Sequence, residues 1–235
     1  MSSKRPSDSK SGATADEPAR PAVGSLALRL TAWYAGSAFL LILLATGFLG
    51  TPYLLEELTK TGNAKLAYQL LLNTQYPSWG YMVDHGATTM WERWNGDQMR
   101  DDPSMNSYNH YAYGAVADWL YRYAAGIDAT PLDAGFHTIV LHPVFDGRLG
   151  HIAFDYASAY GPIHSDWTVT GATAEWHVTI PANTTGWLQL SAGDAAKYKL
   201  DSVAISQSAS VKAATQDGQS GFELAPGSYT FAVGL

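Results

Sequence analysis

Residues 86–94 read Gly-Ala-Thr-Thr-Met-Trp-Glu-Arg-Trp, and residues 105–120 read Met-Asn-Ser-Tyr-Asn-His-Tyr-Ala-Tyr-Gly-Ala-Val-Ala-Asp-Trp-Leu. Together they set one acid, Glu92, among tryptophans and beside a segment rich in Asn, His and Tyr. Sugar rings present apolar C–H faces and a rim of hydroxyl groups, so sugar sites combine flat aromatic side chains with carboxylate, amide and imidazole groups. The pattern therefore predicts a carbohydrate site around Glu92.

Two further motifs accompany this pattern: Thr-Gly-Phe-Leu-Gly-Thr-Pro at residues 46–52 and Tyr-Pro-Ser-Trp-Gly-Tyr-Met-Val at residues 76–83. From about residue 46 to its end, the chain resembles the carboxy-terminal part of bacterial α-L-rhamnosidases, inverting glycoside hydrolases built on an (α/α)6 six-hairpin barrel. The resemblance implies that Glu92, in Trp-Glu-Arg-Trp, is the general base and that His110, in Asn-His-Tyr, contacts the sugar. It also implies a rhamnose-containing glycoside or polysaccharide as substrate.

Five residues near the acid are expected to bind this substrate: Trp91, Trp94, Asn106, His110 and Tyr113. The two tryptophans are three positions apart and share a face if their segment is helical, where a site wall and ordinary core packing explain them equally well. Asn106, His110 and Tyr113 are spaced i, i+4 and i+7, which forms a polar stripe on a helix predicted over residues 106–124. A buried histidine satisfied inside the core is the alternative for His110.

Composition excludes several other functions. The formal net charge is −7 and no basic stripe interleaved with aromatic residues is visible, so we expect no nucleic-acid partner. The chain has no cysteine, which removes disulfides and thiolate ligands. Among the histidines, His137 and His142 are an odd number of positions apart on a predicted strand and would point to opposite faces of a sheet. We expect no metal site and no cofactor.

The amino-terminal region differs in character from the rest. Residues 1–24 lack apolar periodicity and are expected to be a disordered tail. Residues 25–49 contain a long apolar run behind Arg20 and Arg29, which predicts a transmembrane helix with a cytoplasmic amino terminus and a single-pass membrane location. The segment resembles the first membrane helix of sensor histidine kinases, so the chain is predicted to be a fusion joined near residues 45–49. The alternative is a buried helix of a soluble barrel in a cytoplasmic protein.

The expected fold class is α+β with several domains. Helices are predicted from Thr51 to Gly62 and over residues 63–73, which form one hairpin of a barrel fragment spanning residues 50–130. From residue 131 to 235 the apolar period becomes two, which predicts an antiparallel β-sandwich. Its predicted strands share alternating polarity and turn residues at their ends, and lie at residues 136–143, 149–155, 161–169, 173–180, 185–190 and 226–233.

These expectations combine into one functional prediction. The chain is predicted to be a truncated α-L-rhamnosidase that contains the base but not the general acid, because residues 1–45 match nothing upstream of the barrel motif at residues 46–52. Inverting hydrolysis requires both carboxylates, so we expect the chain alone to be inactive. The alternatives are a non-catalytic carbohydrate-binding module and a membrane-anchored fusion fragment.

Overall fold

The computed structural model describes residues 50–235 except residues 103, 105, 106, 131, 132 and 134. The predicted tail, the predicted membrane helix at residues 25–49, the predicted fusion joint and Asn106 lie outside the described residues. Within residues 50–235, apart from those six positions, no helix is long and apolar enough to cross a membrane.

Residues 50–126 form a helical part made of short helices. They are α1 (residues 50–60), α2 (Ala64–Leu71), α3 (Trp79–Asp84), α4 (Tyr111–Gly114) and α5 (Val116–Trp119), with a 3-10 turn at Gly96–Gln98 and a π-helical turn at Leu120–Ala124. The two predicted helices are confirmed as α1 and α2, with Gly62 in the left-handed region between them. α3 was not predicted; Ser78 caps it by accepting a hydrogen bond from the Tyr81 backbone.

The helix predicted over residues 106–124 is wrong at its amino-terminal end. Its first helical residue is Tyr111, and His110 has the extended dihedral angles φ −112° and ψ 131°. His110 cannot continue a helix because its backbone N–H donates to the Met90 carbonyl at 2.7 Å, a partner outside the segment. The predicted polar stripe of Asn106, His110 and Tyr113 on one helix therefore does not describe this region.

Residues 127–235 form a β-sandwich of two sheets. The five-stranded sheet has the order β1-β2-β6-β10-β9, and the six-stranded sheet has the order β3-β4-β5-β11-β7-β8. The strands are β1 (Ile127–Ala129), β2 (Thr138–Leu141), β3 (His151–Ser158), β4 (Gly161–Thr170), β5 (Thr173–Ile180), β6 (Thr185–Gln189), β7 (Tyr198–Leu200), β8 (Val203–Ala204), β9 (Val211–Gln216), β10 (Gln219–Leu224) and β11 (Gly227–Gly234). A short helix, α6 (Ala192–Ala195), follows β6.

The six predicted strands are confirmed as β2 to β6 and β11. One part of the prediction is wrong: the sandwich is not wholly antiparallel, because β2 and β6 pair in parallel. A parallel pair needs a long crossover, and β3, β4 and β5 of the other sheet provide it. β1 begins at Ile127, before the predicted domain boundary at residue 131.

The core of the sandwich lies between the two sheets. Trp167 of β4 and Trp176 of β5 are paired in register and are both fully buried, and Phe231 of β11 stacks on Trp176 at 5.0 Å. Gly186 of β6 lies so close to Ile180 of β5 that an added Cβ would come within 2.3 Å of the isoleucine side chain. This contact joins the sheets, and a larger residue at position 186 would force the Ile180 side chain to shift.

The chain passes from the helical part to the sandwich at residues 124–126. Trp167 Nε1 donates to the Ala124 carbonyl and Ser165 Oγ donates to the Ala125 carbonyl, each at 2.7 Å. Gly126 has φ +72°, and an added Cβ there would lie 2.3 Å from the Pro143 nitrogen. The chain therefore enters the sandwich through a tightly packed turn that only glycine fits.

Candidate active site

Hydrogen bonds join two irregular segments, residues 89–92 and 107–110, and we call this pair of segments the ladder. The Glu92 backbone N–H donates to the Ser107 carbonyl at 3.0 Å, and the His110 N–H donates to the Met90 carbonyl at 2.7 Å. The Thr89 hydroxyl adds a bond to the Tyr108 carbonyl. This ladder brings Glu92 and His110, which are 18 positions apart in sequence, onto neighbouring segments. Glu92 is only 8% exposed.

Trp91 is fixed from two sides. Its ring meets Tyr108 edge to face with centroids 6.2 Å apart, and an added Cβ at Gly96 would lie 2.7 Å from the indole. The Tyr108 hydroxyl donates to the Gly96 carbonyl at 3.2 Å, which closes the group. Because residues 91–94 are not helical, Trp91 and Trp94 do not share a helix face.

Trp94 belongs to a separate aromatic stack. It stacks on Tyr113 of α4 at 3.8 Å and meets Trp79 of α3 edge to face at 5.2 Å. Trp79 Nε1 donates to the Tyr113 carbonyl at 2.9 Å. Burial, with the neighbouring Tyr76, raises the pKa of Tyr113 to about 12. Trp91, Trp94 and Tyr113 are all nearly inaccessible to solvent, so they form the packing that supports the ladder.

His110 caps α4 rather than lying on it. Its Nδ1 accepts a hydrogen bond from the Ala112 backbone N–H at 3.2 Å, and its ring stacks on the exposed Tyr111. A neutral imidazole that accepts at Nδ1 carries its proton on Nε2. The cap therefore fixes both the orientation and the tautomer of His110 at the end of the ladder.

A second polar group lies beyond the ladder and was not predicted. The Tyr81 hydroxyl lies 3.3 Å from both Asp97 carboxylate oxygens and accepts from Gln98 Nε2 at 3.2 Å, and the Tyr81 ring stacks on His85. A surface cleft of about 580 Å³ is lined by residues 97, 98 and 100–102, and not by Glu92.

Three residues that position the tryptophans were also missed: Trp79, Gly96 and Tyr108. Trp79 and Tyr108 lie within the quoted motifs, so the aromatic spacing of those motifs was the available signal. Within the described ranges of the chain, no three His, Asp or Glu side chains converge as they would around a metal ion.

Two family models match this architecture. The bacterial α-L-rhamnosidase six-hairpin glycosidase domain matches residues 41–124, and the bacterial α-L-rhamnosidase carboxy-terminal domain matches residues 126–204. The chain belongs to the bacterial α-L-rhamnosidase family. The first match starts inside the apolar segment that was predicted to cross a membrane, and the two matches meet at the turn around Gly126.

Known α-L-rhamnosidases resemble the chain over about four fifths of its length. The protein from Streptomyces avermitilis is 40% identical over 195 residues, 81% of this chain and 18% of the relative. One from Formosa agariphila is 38% identical over 192 residues, 80% of this chain and 20% of the relative. The chain thus spans about a fifth of the curated relatives it matches.

Solved structures agree with the sequence matches. The crystal structure of the Streptomyces avermitilis α-L-rhamnosidase complexed with L-rhamnose matches this chain with a TM-score of 0.63 at 37% identity. The match covers 79% of this chain and 18% of the Streptomyces chain. The structure of α-L-rhamnosidase from Dictyoglumus thermophilum has a TM-score of 0.64 at 26% identity, and it covers 80% of this chain and 21% of that one. The helical part and sandwich are therefore a rhamnosidase architecture.

Proposed function

We propose that this chain carries the carboxy-terminal part of an α-L-rhamnosidase catalytic unit, with Glu92 as the general base for inverting hydrolysis of terminal, non-reducing α-L-rhamnose. The observation that carries the proposal is the place of Glu92, a nearly buried acid on a hydrogen-bonded ladder inside the region that matches the glycosidase domain. In an inverting reaction the base deprotonates a water on the sugar face opposite the leaving group.

The ladder supports this role because a base must be held still. A carboxylate works efficiently only when its position relative to water and sugar is fixed, and correct positioning is worth up to roughly 7–11 kcal/mol. The backbone bonds of Glu92 and His110 and the packing of Trp91 provide such support. In the proposal, His110 contacts the sugar, and Trp91, Trp94 and Tyr113 contribute to its binding by holding the ladder.

We propose in addition that this chain alone does not hydrolyse the substrate. The inverting reaction needs a second, protonated carboxyl roughly 6.5–9.5 Å from the base. Several acids of the helical part have other partners: Glu56 and Asp118 are paired with Arg122, and Asp97 contacts the Tyr81 hydroxyl. We propose that the general acid is supplied by other barrel helices. These helices would correspond to the parts of the relatives that this chain does not match.

A chimaera tests the base. Residues 41–235 replace the matching region of the Streptomyces avermitilis protein, and hydrolysis of an aryl α-L-rhamnoside is measured across pH. We expect turnover, and we expect Glu92→Gln to lower kcat by about 10²–10⁴. Glu57→Gln is the control, because the Glu57 side chain is 63% exposed and pairs only with Lys60 among the described residues.

The outcomes separate the alternatives. Full activity of the Glu92→Gln chimaera would overturn the base assignment. Binding of L-rhamnose by this chain, with a chimaera that never turns over, would favour the non-catalytic carbohydrate-binding alternative. If this chain alone hydrolysed the substrate, and Glu92→Gln abolished that turnover, the claim of inactivity would be overturned. The assignment of Glu92 as the base would stand.

We propose separately that residues 25–49 insert into a membrane with the amino terminus in the cytoplasm. The support is the charge-free apolar length of residues 30–55 and the arginines that precede it. Carbonate extraction after expression measures this. Recovery of the full-length chain in the soluble fraction would contradict it.

A further inference from the structure

One histidine on the outer face of the six-stranded sheet lies between two carboxylates. The next residue along β4, Ser165, is fully buried in the core, so the His164 side chain points away from the core. Its Nδ1 lies 2.7 Å from an oxygen of Asp155 on β3, and its Nε2 lies 2.9 Å from an oxygen of Asp166 on β4. The carboxylates approach different nitrogens, so these three groups do not converge on one point as metal ligands do. We call His164, Asp155 and Asp166 the histidine clamp.

The two carboxylates determine the protonation state of His164. A neutral imidazole has one N–H donor and one lone pair, so it would donate to one carboxylate and direct its lone pair at the other. An imidazolium donates from both nitrogens. The hydrogen bonds with Asp166 and Asp155 raise the pKa of His164 from its ordinary value of 6.5, against a smaller opposing contribution from partial burial. The clamp therefore holds a cation between two anions at a pH where an ordinary histidine is already half neutral.

The other side chains around the clamp do not replace this proton. On β5, Thr179 is opposite His164 in register and carries no charge, and His177 is opposite Asp166. His177 has its own carboxylate partner, Glu175, at 3.0 Å. No lysine or arginine in the described part of the chain forms an ion pair with either clamp carboxylate. The charge between the two clamp carboxylates therefore comes from His164.

The clamp acts on an edge strand that also contacts the helical part. β3 is at one edge of the six-stranded sheet, where β4 is its neighbour. The Asp155 backbone carbonyl accepts a hydrogen bond from the Tyr121 hydroxyl of the π-helical turn at 3.3 Å, and the Tyr121 ring meets Phe154 edge to face at 4.8 Å. Asp155 is thus bonded to His164 through its side chain and to the helical part through its backbone.

We propose that the histidine clamp is a pH-sensitive device, which fixes the edge strand β3 and its contact with Tyr121 while His164 is protonated. Loss of the proton removes one N–H donor and leaves a lone pair against an anion, so β3 loosens around Asp155. Because the folded-state pKa of His164 is raised, the contribution is complete below about pH 6.5 and is lost as the pH rises through the raised value. The proposal does not depend on the role of Glu92.

The first test is a pH titration of the full chain with isotope-labelled histidine, followed by NMR. We expect the ring signals of His164 to titrate at a higher pH than those of His177, which has one carboxylate partner instead of two. Asp166→Asn and Asp155→Asn should each lower the midpoint of His164. A midpoint of His164 at or below that of His177 would overturn the proposal.

The second test is amide hydrogen exchange of β3 at pH 6 and pH 8.5. We expect the protection factors of β3 amides to fall by about two- to fivefold at the higher pH, a modest change because Asp155 is largely exposed. Amides of residues 119–125 should lose protection with them, and Tyr121→Phe should abolish that second loss while leaving the change in β3.

Two glutamine variants provide the control. His164→Gln removes the titrating cation, so the protection of β3 should be low at pH 6 and should not change at pH 8.5. His177→Gln removes a histidine with a carboxylate partner on the neighbouring strand, and the pH dependence of β3 should remain that of the wild type. Asp155→Asn leaves His164 in place but weakens the link between the strands, so it should resemble His164→Gln.

Two exchange results would also overturn the proposal. They are protection of β3 that does not change with pH in the wild type, and a pH dependence in His164→Gln equal to that of the wild type. Loss of base activity in the chimaera described above would leave this proposal untouched, because that experiment reports on Glu92 alone.

Discussion

The helical part and the sandwich are stabilised by different kinds of contact. Apart from α1, the helices contain four to eight residues, too few to be stable on their own, and aromatic pairs such as Trp94 on Tyr113 hold them in place. The sandwich is built on long strand ladders, with Trp167 and Trp176 in its core. The difference suggests that the helical part depends on its neighbours, whereas the sandwich carries most of its own stability.

The largest expected effect comes from cutting the chain between the two parts. We expect a fragment of residues 124–235 to unfold cooperatively in denaturant. A fragment of residues 131–235 should be less stable by about 2–6 kcal/mol, because it lacks β1 and leaves the donors of Ser165 and Trp167 without acceptors, at about 1–3 kcal/mol for each buried group. Urea unfolding followed by circular dichroism measures the difference. Equal stabilities would mean that the junction bonds are dispensable.

A pair of tryptophan substitutions compares the two cores directly. Trp176→Ala should lower the free energy of unfolding of the whole protein by about 3–5 kcal/mol, since it opens a cavity between the sheets. Trp94→Ala should instead increase amide hydrogen exchange around residues 86–113 and leave the exchange of β4 and β5 unchanged. Faster exchange throughout the sandwich of Trp94→Ala would contradict the proposed independence.

A smaller effect is expected at the ion pairs that link the helices to β1. Arg122 contacts Glu56 of α1 at 3.0 Å and Asp128 of β1 at 3.1 Å. Burial of Asp128 opposes ionisation, but hydrogen bonds from His142 and Arg122 outweigh it and lower the pKa of Asp128 to about 2. Arg122→Met should reduce stability by about 2 kcal/mol at neutral pH.

The pH dependence gives a second measurement of the same pair. Because the folded-state pKa of Asp128 lies below its ordinary value, its contribution is complete above about pH 4 and is lost as the pH falls towards about 2. The stability difference between wild type and Arg122→Met should shrink over that interval. A difference that stays constant down to pH 2 would show that Arg122 acts through packing alone.

A local effect, similar in size to that at Arg122, is expected at the ladder. Gly96→Ala places a methyl group against the Trp91 indole and should lower stability by about 1–3 kcal/mol, with a change in near-ultraviolet circular dichroism. Gly86→Ala is the comparison variant. Gly86 has φ +81°, so an added Cβ strains the backbone there, but no atom lies within 4 Å of that Cβ. A change at Trp91 of equal size in both variants would contradict the role of Gly96.

Sequence patterns predicted the regular parts of this fold better than the candidate site. Period-two alternation identified β4 and β5 because each has one buried and one exposed face. The ladder escaped prediction because its pairing depends on contacts between residues 90–92 and 107–110, which have no periodic signature. The helical spacing of His110 and Tyr113 was therefore misleading: the backbone bond from His110 to Met90 outweighs local helix preference.

The site residues themselves came from motif resemblance, and their surroundings came from the structure. Glu92 was identified by the Trp-Glu-Arg-Trp motif, but its burial and its hydrogen bond to Ser107 arise only in the folded chain. Likewise, the three-residue spacing of Trp91 and Trp94 could not reveal that Trp91 packs against Gly96 while Trp94 packs against Tyr113.

The turn at Gly126 determines how such proteins can exchange parts. Side chains of the sandwich donate hydrogen bonds to the backbone carbonyls of Ala124 and Ala125. Because every amino acid has a backbone carbonyl, substitutions at these two positions leave both acceptors available. Gly126, by contrast, must remain glycine because Pro143 occupies the space of a side chain. A sandwich grafted from another rhamnosidase would therefore keep this turn if glycine at position 126 and proline at position 143 are retained together. Side-chain contacts across the junction, such as that of Arg122 with Asp128, would have to be matched separately.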